Sequence, residues 1–139
     1  MFLLNLVTPE KRVATDVEVE EVIVPAYRGQ LDILPGHAPL MTTLGTGTLK
    51  YKSKGSSNYE SVVVSWGYCQ VNPTGVVILA ETAESLEEID RARAEAALKK
   101  AKAQLMEPIL EPDQIAKLQH KMARATARLE ATGGAETAH

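Results

Sequence analysis

Near residue 81 the spacing of apolar side chains changes from every second residue to every third or fourth, and no one type of secondary structure accommodates both. Upstream, Val17 and Val19 alternate with Asp16, Glu18 and Glu20; the phase then slips at Glu20-Glu21, and Val22 and Val24 carry the apolar face onward. A strand turns successive side chains to opposite faces, so a slip of this kind puts the wrong residues in the core unless a bulge absorbs it. Leu49 and Tyr51 alternate with Lys50 and Lys52 up to a polar turn, Lys54-Gly55-Ser56-Ser57-Asn58. Val62, Val64 and Trp66 form the next face, and Asn72-Pro73-Thr74-Gly75 is a second turn before the continuous apolar strand Val76-Val77-Ile78-Leu79. Phe2 to about Ala80 therefore reads as short strands joined by Gly/Pro turns with no helix between them, which predicts an antiparallel β-sandwich or barrel.

Downstream, Ser85-Leu86-Glu87-Glu88 has the spacing of a capping box, with the Ser hydroxyl accepting from the Glu88 amide while the Glu side chain reaches back. It predicts an alanine-rich helix from there to about Met106. Glu107-Pro108-Ile109-Leu110-Glu111-Pro112-Asp113 ends it, because each proline lacks a donor and restricts its predecessor. A second helix is expected from near Asp113 to about Ala131, with Ile115, Leu118, Met122, Ala125 and Leu129 as its apolar stripe. Gly133-Gly134 is expected to stop it. The facing stripe is Ala94, Ala97, Leu98, Ala101 and Leu105, mostly small residues. At about 0.8 kcal/mol per buried methylene, such a seam is the weakest-held part of the molecule. The expected organisation is a β domain over residues 1–83, a helical hairpin over 84–132 and a frayed tail over 133–139.

Hydrophobic residues make up 45% of the chain and charged residues 24%, which favours a packed core over disorder, and a net charge of −3 gives no electrostatic footprint for nucleic acid. The single Cys69 excludes an internal disulfide and is expected to be a small buried hydrophobe. The apolar opening MFLLNLVTPEKR has no preceding positive charge and is interrupted by Asn5, so it is expected to be a first strand rather than a signal peptide. No apolar run approaches the roughly 18 residues that a membrane-spanning helix requires.

In Ile33-Leu34-Pro35-Gly36-His37-Ala38-Pro39-Leu40 a histidine sits between two prolines. A general base needs an orienting carboxylate and a reacting partner, and only Asp32 is acidic nearby. Three histidines and one cysteine are poor material for a metal site. These residues favour a rigid surface loop with His37 hydrogen-bonded inside it. No GxxxxGK[ST] occurs, and Gly45-Thr46-Gly47 leads into a strand, which offers no helix N-terminus to a phosphate. On the helices, Asp90 and Arg93 are three apart, and Arg124 and Arg128 four apart, each pair on one face. A hairpin that brings them together suits a phosphate with a ribose or base. On spacing alone, a solvated charged face with i,i+3 and i,i+4 pairs is the favoured reading.

The run V-x-V-P followed by G-Q-L-D-I-L-P-G-H-A-P-L-M-T-x-L-x-x-G-x-L, here Val22 to Leu49, closely resembles the epsilon subunit of the F-type ATP synthase. The resemblance continues through Ala80-Glu81-Thr82-Ala83-Glu84 and the paired helices, essentially the whole chain. It implies a sandwich of about ten strands followed by an antiparallel two-helix hairpin. It also implies a rotor subunit with no catalytic activity, required cofactor or metal. The partners it implies are the gamma subunit, the c-subunit ring and, transiently through the C-terminal helices, the alpha/beta catalytic subunits. The implied place is the cytoplasmic face of the bacterial inner membrane, without direct insertion.

The resemblance assigns Arg28, Gln30, Leu31, Asp32, His37, Ala38, Leu40, Met41 and Thr42 to the sandwich edge that meets gamma and the c ring, Asp32 standing where many members carry glycine. Members of the family use the hairpin to inhibit ATP hydrolysis: compact on the sandwich it permits hydrolysis, and extended along gamma toward the catalytic subunits it blocks rotation in the ATP-hydrolysing direction. Some bacterial members also bind ATP in the hairpin through an I/L-D-x-x-R-A motif, which here is Ile89-Asp90-Arg91-Ala92-Arg93-Ala94. Glu84, Arg124 and Arg128 correspond to further binding positions, and Lys100 stands where another arginine is found. A stand-alone ATP-sensing module, in which nucleotide orders the hairpin, is the alternative that this motif implies.

Overall fold

Phe2, Leu4 and Leu6 are buried while the residues between them are only half-buried, the alternation that a strand with one core face requires; they form β1 (Phe2–Val7). The computed structural model describes residues 2–107 and 110–137. It continues with β2 (Arg12–Ala26), β3 (Gly29–Ile33), β4 (Leu40–Ser53), β5 (Glu60–Asn72) and β6 (Gly75–Ser85). A single turn of 3-10 helix (Leu86–Glu88) leads to α1 (Arg91–Leu105) and α2 (Pro112–Thr137). The chain separates into two compact units, Met1–Ser85 and Leu86–His139. Pro108 and Ile109, within the expected helix break, and His139 lie outside the described residues.

Among the described residues the strands number six, not about ten, and they are not all antiparallel. β1 pairs with β2, β2 with β4, β4 with β5 and β5 with β6, each antiparallel, and β6 returns to β1 in parallel register, Leu4 opposite Val76. This closes a five-membered ring, to which β3 adds as a hairpin partner of β2. An odd-membered ring cannot alternate direction all the way round, so one parallel pair is obligatory.

Strands this long serve both layers by changing face partway. On β2 the core residues switch from Val19 to Val22 and Val24, with a register shift between Val19 and Glu21 at the expected slip. On β4 the core residues are Leu44 and Leu49, on β5 Val62 and Val64 and then Cys69 and Val71, and on β6 Val76, Ile78 and Ala80 and then Ala83. An expectation of about ten strands counts the limbs of these strands separately. The corner on β5 is Trp66-Gly67, with φ of 53° and 133°. Trp66 therefore does not extend the face of Val62 and Val64 but stands half-buried at the bend. A Cβ on Gly67 would lie 1.8 Å from the Leu79 carbonyl oxygen of the neighbouring strand.

In the hairpin, Asp90 caps α1, its Oδ1 accepting from the Arg93 amide at 3.1 Å. Helix α1 thus starts at Arg91, later than the Ser85 spacing predicts, because Ser85 is still paired with Val62 in the sheet. Glu111 precedes α2, and Gln114 Oε1 accepts from the Glu111 amide at 2.9 Å, the return half of a capping box with Pro112 at the first helical position. Helix α2 runs past Gly133-Gly134, where the sequence suggests a stop. The fully buried part of the seam is mostly alanine, Ala94, Ala101 and Ala125 beside Leu118, while the larger Leu98, Leu105, Ile115, Met122 and Leu129 are only half-buried and Ala97 is exposed.

Two glycine substitutions separate backbone conformation from steric exclusion. Gly67→Ala adds a collision to an unfavourable φ and is expected to lower sandwich stability by about 3 kcal/mol or more. Gly36→Ala meets open space at φ +83° and is expected to cost about 1 kcal/mol. Denaturant unfolding followed by the fluorescence of Trp66, the sole tryptophan, measures both.

Candidate functional site

Two regions gather the residues that the sequence singles out, one on each unit. On the sandwich, Leu34-Pro35-Gly36-His37 forms a tight turn in which the His37 amide donates to the Leu34 carbonyl at 3.1 Å, with Gly36 at φ +83° as a type II turn with proline in second place requires. His37 Nδ1 lies 2.8 Å from the Ala38 carbonyl oxygen. A carbonyl only accepts, so Nδ1 carries the proton and the ring braces its own loop. Among the described residues no group of His, Cys, Asp and Glu is placed to hold a metal ion. Cys69 is fully buried, and burial pushes its thiol up to about 11.

The loop delivers the chain to Leu40 and Met41, both exposed, and to half-buried Thr42 at the start of β4. The turn between β2 and β3 lies alongside, the Tyr27 amide donating to the Thr43 carbonyl at 2.9 Å, so exposed Arg28 neighbours this strand. Gln30 and Ala38 are exposed and Leu31 packs partly on the core. Asp32 sits at the other end of β3, opposite Ile23, and belongs to a separate cluster with Glu21 and Tyr59. The predicted edge is thus two neighbourhoods rather than one.

In that cluster the Tyr59 hydroxyl donates to Glu21 Oε1. This bond first, then one from Asp32, holds Glu21 below its ordinary 4.5, with Lys52 adding attraction. Asp32 is raised from its ordinary 3.8, first by its hydrogen bond to Glu21, then by burial and by the neighbouring charge.

Sequence patterning misses the largest feature of this face. Tyr68 lies between Thr43 and Leu79 in register, and Tyr27, Met41, Tyr68 and Leu79 are all more than half exposed, at 68%, 65%, 56% and 51%. Hollows of about 310 and 500 Å³ flank Gly67 and Tyr68, the first reaching Tyr27 and Leu44, the second Val7, Pro9 and Leu79. The run Val76 to Leu79 reads as a strand buried on both faces, yet Leu79 projects outward. An uninterrupted apolar run with one face open is the signal that was there to find.

On the hairpin, Lys100 and Gln104 of α1 face Lys121, Arg124 and Arg128 of α2 across a floor of Ala97 and Ala101, around a hollow of about 270 Å³. Spacings of three and four put each set on one helical face, and the alanines leave the room. Lys100, Arg124 and Arg128 are thereby brought together. Asp90, exposed Arg93 and half-buried Ile89 do not line this hollow, and Glu84 lies on β6 in the other unit. Arg91, in a variable place of the motif, ties the far end of the hairpin: its Nη1 donates to the Leu129 carbonyl at 3.4 Å and to Thr132 Oγ1 at 3.5 Å, and its Nε lies 3.4 Å from Glu95.

The family model described as ATP synthase, Delta/Epsilon chain, beta-sandwich domain matches residues 1–86, and that of the long alpha-helix domain matches residues 87–133. The chain is 48% identical over 128 residues to the ATP synthase epsilon chain of Bdellovibrio bacteriovorus, covering 92% of this chain and 91% of that one. It is 37% identical over 132 residues to the epsilon chain of Geobacter sulfurreducens, covering 95% and 94%. Among solved structures it resembles a chain of the Euglena gracilis mitochondrial ATP synthase OSCP/F1/c-ring assembly, with a TM-score of 0.81 at 26% identity over 94% of this chain and 79% of that one.

The Glu21–Asp32 pair acts on stability in acid with opposite signs. The Glu21 contribution is present above its unfolded pKa and is lost as pH falls through its lowered value; the Asp32 contribution is present below its unfolded pKa and is lost as pH rises through its raised value. Tyr59→Phe removes the largest cause of the Glu21 shift, so carbon-detected NMR titration should show Glu21 moving back up toward 4.5.

Proposed function

The chain belongs to the ATP synthase delta/epsilon family, whose epsilon chains are non-catalytic central-stalk subunits of the F-type enzyme, and from that premise we propose that its sandwich is a coupling clamp and its hairpin a brake on ATP hydrolysis. The observation that carries this reading is the contrast between the two units. The sandwich closes on itself around Leu4, Leu6, Val22, Leu49, Val64 and Ile78, all fully buried, each side chain worth about 1.5–3 kcal/mol. Of the residues fully buried in the hairpin seam, Ala94, Ala101 and Ala125 are alanines and Leu118 alone is large, so its packed and displaced arrangements differ by little, as a switch between two states requires.

The open apolar face around Tyr27, Tyr68 and Leu79 supports docking on the gamma subunit, since contiguous exposed apolar surface of this kind marks an interface. The loop braced by His37, with Leu40 and Met41 beside it, suits a rigid contact with gamma and the c ring; in that role His37 orders the loop and performs no chemistry. No described helix is long and apolar enough to cross a membrane, and the reading is of a peripheral subunit on the cytoplasmic face of a bacterial inner membrane. Arg124 and other basic residues of the helices would meet acidic surfaces of the alpha/beta subunits when the hairpin is displaced.

One observation favours a second role for the hairpin. Lys100, Arg124 and Arg128, three of the positions that resemblance connects with ATP, line a single hollow. ATP bound there would hold the two helices together and oppose the brake.

Adding the intact chain to a gamma-containing catalytic complex stripped of this subunit should inhibit ATP hydrolysis, while a version ending at Ser85, where β6 ends, should bind without inhibiting. Truncation that leaves inhibition intact removes the hairpin from that role. The double variant Tyr68→Ser, Leu79→Ser should bind the same complex at least about tenfold more weakly, measured by surface plasmon resonance against the intact chain.

A further inference from the structure

We propose that Arg91 is a latch: it ties α1 to α2 at the end of the hairpin opposite the interhelical connection, and so sets how readily the hairpin leaves its packed state to act as the brake. This rests on the brake reading above and adds to it a residue in a variable place of the Ile89–Ala94 motif. Arg91 is the first residue of α1, and its Nη1 reaches across to α2, donating to the Leu129 carbonyl at 3.4 Å and to Thr132 Oγ1 at 3.5 Å. Both partners are oriented for this contact. The Arg91 Nε lies 3.4 Å from Glu95 Oε1, one turn further along α1, which leaves Nη1 directed at α2. The Thr132 hydroxyl donates to the Arg128 carbonyl at 2.8 Å, so its oxygen is left to accept from Arg91. Arg91 does not line the hollow around Lys100, Arg124 and Arg128, so the tie is made by the chain itself and needs no ligand.

Packing makes this the end where a polar tie matters most. Leu118, the large residue fully buried in the seam, lies toward the interhelical connection, whereas the fully buried seam residues toward Arg91 are Ala94 and Ala125, and Leu129 is only half-buried. A buried alanine removes little apolar area from water, so this end opens at lower free energy than the end held by Leu118 and by the connection. The bond from Arg91 to Thr132 joins residues 41 apart, and every residue of the seam lies within the loop it closes. While the bond holds, a local opening inside that loop closes again; once it is lost, separation spreads inward from this end. The bonds are long and the Arg91 side chain is 36% exposed, so the latch shifts the population by about threefold rather than by orders of magnitude. A shift of that size is enough to bias a switch whose two states lie close in free energy.

Amide hydrogen exchange on the nucleotide-free full chain tests this, comparing the unaltered protein with Arg91→Met, Thr132→Val, the double variant and the exposed control Lys102→Gln. Met keeps the apolar stem of Arg91 and removes its fork. The expected result is exchange about threefold faster over residues 125–132 of α2 in each single variant, little further gain in the double variant, and no change in β5 or in Lys102→Gln. Arg91→Met should also inhibit the gamma-containing catalytic complex at about a threefold lower concentration than the unaltered chain, because more of it is displaced at any moment. Unchanged exchange in Arg91→Met overturns the latch, and so does full additivity in the double variant, since the two side chains would then act independently. Faster exchange with unchanged inhibition overturns its regulatory role while the brake stands. An unaltered chain that does not inhibit overturns the brake itself, and the regulatory role with it, whatever the exchange shows.

Discussion

The parallel contact between β1 and β6 is the constraint on which the sandwich depends. Without it the chain is an open sheet with β1 on one edge of β2 and β6 exposing a long row of unpaired backbone groups. With it, Leu3 to Val7 lie in continuous register against Gly75 to Leu79 and the ring is complete. Gly75 permits this closeness, since a Cβ there would come within 2.6 Å of the Leu3 carbonyl oxygen. Closure fixes the corners too, because strands long enough to span both layers must change face where the layers meet.

The outward face follows from the same geometry. Once Trp66-Gly67 turns β5 through the corner, Tyr68 points away from the core while Cys69 points into it, and the register with β4 and β6 sets Thr43 and Leu79 on either side of Tyr68. The exposed apolar row is thus a by-product of a bend that the core requires. The hairpin obeys a different economy, in which short-range spacing places basic side chains over alanines and the close approach of the helices sets those charges against each other.

Much of this was legible in the chain itself. The change of period separates sheet from helix, the slip at Glu20-Glu21 announces a real bulge, and Pro35-Gly36 specifies its turn through a proline at fixed φ and a glycine at positive φ. Other features were hidden for identifiable reasons. Trp66 is apolar and in phase with Val62 and Val64, so nothing local distinguishes a corner from a continuing strand. Ser85 and Asp90 are both good caps, and only the long-range pairing of Ser85 with Val62 decides between them. The parallel pair is a property of the ring and has no local signature. At the hairpin, spacing identified Arg124 and Arg128, but Gln104 and Lys121 gain meaning only once the partner helix lies opposite.

Ring closure by the first strand has a consequence for how the chain is made. On the ribosome β1 emerges before any of its partners, yet one of its two edges can be satisfied only by β6, the last strand of the unit. Hydrophobic Phe2, Leu4 and Leu6 therefore wait through the synthesis of nearly the whole sandwich for the contact that buries them. Contacts so distant in sequence close slowly, and chains that wait expose sticky edges to their neighbours. The hairpin, made of near-neighbour contacts and synthesised afterwards, folds on a faster clock. Birth order thus sets the slow and vulnerable step in the sandwich and the quick one in the switch.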